Sequence, residues 1–149
     1  VKMLNESLAD EYKCYNFPSK GKGQKYLDHG QINDSSGRSR CKNIDCAVIQ
    51  KDLEITNFKQ SEKIFLGTLK YLFESGGAQD SQWKDVNGFL KESNDYCDKN
   101  DDNVYFYAQL DGKWANDRTN ELLNVIENDK RIFAGNSSEV IEWINKNIQ

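Results

Sequence analysis

Val104-Tyr105-Phe106-Tyr107-Ala108-Gln109-Leu110-Asp111-Gly112 is the stretch on which the fold is read. An aromatic-rich run of this kind reads as a strand, and adjacent side chains of a strand point to opposite faces. With Phe106 turned into the core, Tyr105 and Tyr107 share the other face and are expected to meet solvent or a partner. Asp111-Gly112, followed by Trp114, is a two-residue hairpin signal, because both central positions tolerate positive φ. Working outward, Leu122, Leu123, Val125 and Ile126 predict a helix over about 119–129. Arg131–Gly135 predicts a short strand. Asn136 and Glu139 form a capping pair ahead of an apolar stripe of Val140, Ile141, Ile144 and Ile148, with Trp143 at its border. Residues 104–149 thus predict a hairpin-helix-strand-helix unit, the best-specified part of the core.

Upstream, Ile64, Phe65, Thr68, Leu69, Leu72 and Phe73 recur at spacings of one, three and four, which predicts a helix over 58–75. Asn57 and Gln60 would cap it and Gly76-Gly77 would stop it. Trp83, Val86 and Leu90 predict a second helix over 81–93, with Gly88 inside it costing about 1 kcal/mol relative to alanine. Residues 46–56 favour a strand through Val48, Ile49, Leu53 and Ile55. Tyr12–Phe17 predicts a first strand closed by Pro18, and Met3–Asp10 a short helix. Ser19–Lys42 is rich in glycine and serine and predicts a long loop region around one short strand. The chain therefore reads as one compact α+β domain over 1–149, with a small, mostly antiparallel sheet and four or five helices.

Bulk properties narrow the function. A chain of 149 residues suits a single domain, and 11% aromatics supply buried area despite a mean hydropathy of -0.84. No apolar run approaches the roughly 18 residues that span a bilayer, so membrane insertion is not expected. The net charge is -4, distributed as +2 over residues 1–50, -2 over 51–100 and -4 over 101–149. An acidic C-terminal half disfavours a general grip on phosphates, and with it nucleic-acid binding. The chain starts at Val1 with no signal peptide and carries four cysteines, Cys14, Cys41, Cys46 and Cys97. That combination is expected of a processed, secreted or periplasmic protein with two disulfides, the alternative being a cytoplasmic protein with reduced thiols.

His29 is the sole histidine. With Arg38 and Arg40 it could act as a general acid or base beside an anionic transition state, in a small hydrolase- or nuclease-like enzyme. An exposed loop histidine is the plainer reading, since no spacing motif supports catalysis. A cysteine–histidine nucleophile lacks any local signature, and disulfide pairing would consume the thiols. The four-residue gap between Cys41 and Cys46 has no matching second pair for zinc. Asp98, Asn100 and Asp102 alternate like calcium ligands, but Asn103 stands in place of the turn glycine and Gln109 in place of the bidentate glutamate. Ser19–Lys25 lacks the closing Gly-Lys-Ser/Thr of a phosphate loop. Three sequons, at Asn5, Asn33 and Asn136, stand against about 1.5 expected by chance and decide nothing about a secretory origin. No pattern calls for a metal or cofactor.

What is left is recognition. The expectation is a non-catalytic protein-binding factor, such as an inhibitor or an immunity-type partner of a basic toxin or enzyme, with Tyr105, Tyr107 and Asp111 as binding residues. An acidic domain suits a basic target, because complementary charge speeds association.

Overall fold

The computed structural model describes residues 8, 11–18, 24–28, 30–33, 42–50, 62–72 and 77–148. In chain order the elements are β1 (Tyr12–Asn16), β2 (Lys25–Asp28), β3 (Gln31–Asn33), β4 (Lys42–Ile44), β5 (Cys46–Gln50) and β6 (Ile64–Tyr71). They are followed by α1 (Gly77–Lys99), β7 (Val104–Asp111), α2 (Lys113–Leu123), β8 (Ile132–Gly135) and α3 (Ser137–Ile148). One sheet has the order β1-β5-β6-β7-β8 and a second, smaller sheet the order β3-β2-β4. β1 and β6 run antiparallel to β5, whereas β7 runs parallel to both β6 and β8.

The fold is α+β, but the expected architecture needs correction on two counts. The main sheet is mixed rather than mostly antiparallel, and three helices rather than four or five are found among the described residues. Most of the difference lies in residues 58–75, expected to be helical, where Ile64–Tyr71 is strand β6. Ile64 and Leu66 pack into one core layer and Phe65 into the other. A strand buried on both faces loses its alternation and becomes a continuous apolar run, which mimics helical spacing. The Met3–Asp10 helix lies outside the described residues, apart from Leu8.

A further correction is at Asp111-Gly112. Gly112 does adopt positive φ (108°), but the chain passes directly into α2 at Lys113 instead of returning as a hairpin. A Cβ at Gly112 would fall 2.2 Å from the carbonyl oxygen of Leu72, so the exit of β6 presses on this turn. The C-terminal unit is therefore strand-helix-strand-helix. α1 and α2 serve as the crossovers that parallel neighbours require. The expected helix over 119–129 ends at Leu123, and α1 extends well beyond the expected 81–93 on both sides. β5 and β8 fall within the strands expected there, β1 matches its prediction, and the capping pair before α3 forms as read. In that pair the Glu139 N–H donates to Asn136 Oδ1 at 2.9 Å and the Asn136 N–H to Glu139 Oε1 at 3.0 Å. The Ser19–Lys42 region is more regular than expected, since β2 and β3 pair within it and β4 joins β2 from its end.

Two apolar layers sandwich the main sheet. Ala47, Ile49, Leu66, Phe106, Ala108 and Ile132 face α1, α2 and the small sheet, which contributes Leu27 and Ile44. Cys14, Cys46, Val48, Phe65 and Tyr107 face Val140 and Ile144 of α3. Asp45 joins the two sheets: its carboxylate accepts the Leu69 N–H at 2.8 Å and the Thr68 hydroxyl at 3.0 Å, where the β5–β6 pairing ends.

Candidate binding groove

The parity of β7 and β8 brings Tyr105 and Phe133 to the α3 side of the sheet, and Trp143 reaches them from α3. Phe133 and Trp143 stack with ring centroids 5.3 Å apart and planes 13° from parallel. Tyr105 meets Trp143 edge-on at 6.2 Å. The buried Phe65 backs both, 5.0 Å from Tyr105 and 5.7 Å from Trp143. Lys63 stands 5.5 Å from the Tyr105 ring centroid, within cation–π range, and donates to the Asn147 carbonyl. Together these contacts hold the aromatic surface in one geometry.

That surface forms part of a groove of about 900 Å³ whose other wall is Leu123 at the end of α2 and the α2–β8 connection, including Ile126 and Glu127. The connection is pinned from behind by Asn94 of α1, whose side chain donates to the Val125 carbonyl at 2.8 Å and accepts the Glu127 N–H at 3.0 Å. Leu123 is 45% exposed. Glu127, Asp129, Lys130 and Lys146 rim the groove with exposed side chains, and none of the four makes an ion pair among the described residues. Charges of both signs thus stand free around an aromatic floor.

Of the residues singled out from sequence, Tyr105 lines this groove. Tyr107 shares its face, as parity required, but α3 covers that face and Tyr107 is wholly buried; the expected exposed tyrosine pair is corrected to one partly exposed tyrosine. Asp111 is half-buried, and its carboxylate accepts the Ser137 N–H at 3.0 Å and the Gln109 amide at 3.2 Å. It works as a cap on α3, favourable beside the positive end of the helix dipole. His29, Arg38, Arg40 and Cys41 lie outside the described residues. Phe133, Trp143, Lys130 and Lys146 line the groove without having been singled out as binding residues from sequence. Trp143 next to the apolar stripe was a usable signal, since an indole beside a buried face tends to straddle core and solvent.

Of the four cysteines expected in disulfides, Cys14, Cys46 and Cys97 are buried thiols that form no disulfide. Cys97 lies in the core layer opposite to that of Cys14 and Cys46. The Cys46 sulfur is 2.8 Å from the Tyr107 hydroxyl. A hydrogen bond with Cys14 and then burial hold the Cys46 thiol well above its usual range, while the same hydrogen bond lowers Cys14. Burial is the main cause that raises the Tyr107 phenol. Cys14, Cys46 and Tyr107 thus form one buried polar cluster. Of the alternating Asp98, Asn100 and Asp102, the last two serve another purpose and Asp98 is exposed: Asp102 accepts Arg131 and Tyr96, and Asn100 donates to the carbonyls of Gly30 and Tyr96. No group of three or more His, Cys, Asp or Glu side chains is placed to hold a metal ion among the described residues. No helix among them is long and apolar enough to cross a membrane.

Comparison of the chain with protein-family models, with curated proteins and with solved structures finds no match.

Proposed function

We propose that the protein is a non-catalytic protein-binding factor, of the inhibitor or immunity type, that holds a segment of another protein in the Tyr105–Phe133–Trp143 groove. The observation that supports this reading is the stacked Phe133–Trp143 pair, braced by Phe65 and open to solvent along a charged rim. Rigid aromatics lose little conformational freedom on binding, and tryptophan and tyrosine dominate the energetics of protein interfaces. A volume of about 900 Å³ is at the upper end for a small-molecule pocket and suits a segment of a larger partner. The unpaired rim charges set register and orientation, and the net charge of -4 favours a basic target.

The test is capture from a native extract by the wild-type chain, by Trp143→Ala and by Glu127→Lys, followed by calorimetric titration of each chain with the captured protein. The wild type is expected to retain a partner that both variants lose, in a salt-sensitive manner. Equal retention by all three proteins removes the groove from the interface.

A further inference from the structure

A second cavity, independent of the groove, opens where the two sheets part. β4 and β5 are consecutive in the chain and separate at Asp45; the β5–β6 pairing ends at Cys46 opposite Gly67, so Thr68–Tyr71 continues without β5 beside it. The space between β4, β6 and α1 measures about 150 Å³ and is lined by Lys42, Asn43, Thr68, Lys70, Asp85 and Phe89. It has room for several waters.

Lys42 is built into this cavity. Its stem crosses α1 at Gly88, where a Cβ would fall 2.5 Å from Lys42 Cε and 3.2 Å from its Nζ. Its ammonium is 3.3 Å from Asp85, whose side chain is 55% exposed, whereas that of Lys42 is 24% exposed. Lys70 enters from β6, half-buried, with no ion pair among the described residues. Thr68 is nearly fully buried, and its hydroxyl donates to Asp45, a carboxylate already engaged by the Leu69 N–H. Two lysines from different sheets therefore line one recess with the Asp85 carboxylate, while the Asp45 carboxylate stands behind Thr68 with two donors already on it.

We propose that this cavity binds a small oxyanion, held between the ammonium groups of Lys42 and Lys70. Bringing two ammonium groups into one recess is unfavourable by itself, and an anion between them turns that repulsion into two charge-assisted hydrogen bonds. Asp85 sets the orientation of Lys42 and at the same time opposes the anion, so its charge should tune the affinity.

The experiment is calorimetric titration of the full chain with phosphate, sulfate and acetate, each against chloride at matched ionic strength. The wild type is expected to bind at least one of the three. A response to phosphate and sulfate alone identifies a tetrahedral anion; a response that includes acetate extends the class to carboxylates. Lys70→Met should weaken binding by about tenfold or more. Lys70→Arg should retain it, and Asp85→Asn should tighten it severalfold, a direction that loss of structure cannot produce. Circular dichroism confirms that each variant is folded. Absence of heat from the wild type with all three anions at tens of millimolar, or equal binding by wild type and a folded Lys70→Met, overturns the proposal.

Discussion

The ring of Tyr107 lies across Gly67, so closely that a Cβ on that glycine would fall 2.2 Å from the ring. The residues face each other on the parallel strands β7 and β6, and the missing side chain of one makes room for the phenol of the other. The phenol then reaches across to Cys46 on β5, with oxygen and sulfur 2.8 Å apart. Gly67→Ala should therefore be destabilising by overpacking, by about 1–3 kcal/mol, read as a lower urea midpoint at unchanged slope. Tyr107→Phe keeps the ring and removes the hydroxyl that Cys46 contacts, for an expected loss of about 1–2 kcal/mol.

Arg131 ties the start of β8 to the loop between α1 and β7. Its guanidinium pairs with Asp102 at 2.7 Å, and Nε and Nη1 donate to the Val104 and Asn100 carbonyls at 3.0 and 2.8 Å. The paired side chains are only 13% and 15% exposed. Arg131→Ala leaves a largely buried carboxylate without its partner and should cost about 3–5 kcal/mol in chemical denaturation. A loss under about 1 kcal/mol would class the pair with exposed ion pairs.

Stability should fall on the alkaline side. Burial, with Asp102 and Asp98 adding to it and Arg131 opposing, pushes the Cys97 thiol from 9.0 up to about 11. Tyr96 is shifted upward as well, first by burial and then by its hydrogen bond to Asp102. A raised value means that the folded state holds the proton more tightly than the unfolded chain. The contribution of Cys97 is therefore complete below pH 9 and is lost as pH rises to about 11, amounting to no more than about 3 kcal/mol. Urea titrations of wild type and Cys97→Ala across that range should converge as pH increases; curves that stay parallel would remove Cys97 as the cause.

The Asn136–Glu139 capping pair is a local device with a local effect. Asn136→Ala should lower stability by about 1 kcal/mol, with an effect on groove binding far below that of Trp143→Ala. Denaturation and partner titration on the same two variants separate cap from interface.

Sequence by itself determined the elements whose signals are local. The cap and apolar stripe of α3, the face parity along β7, the helical spacing at the centre of α1 and the strand at Ile132–Gly135 are all set by residues within a turn or two of one another. In the groove, the same parity placed Tyr105 opposite Phe106. Tertiary structure decided everything that depends on which faces are covered. Ile64–Tyr71 is a strand because both of its faces are buried, which erases the alternation that would have marked it. Gly112 supplies the positive φ expected of it, but the direction the chain takes afterwards follows from parallel pairing with β6 and β8. Tyr107 is buried because α3 packs over it, while Tyr105 on the same face remains at the edge of that cover, beside Trp143. Periodicity says which side chains share a face; only the packing of distant elements says whether that face meets water.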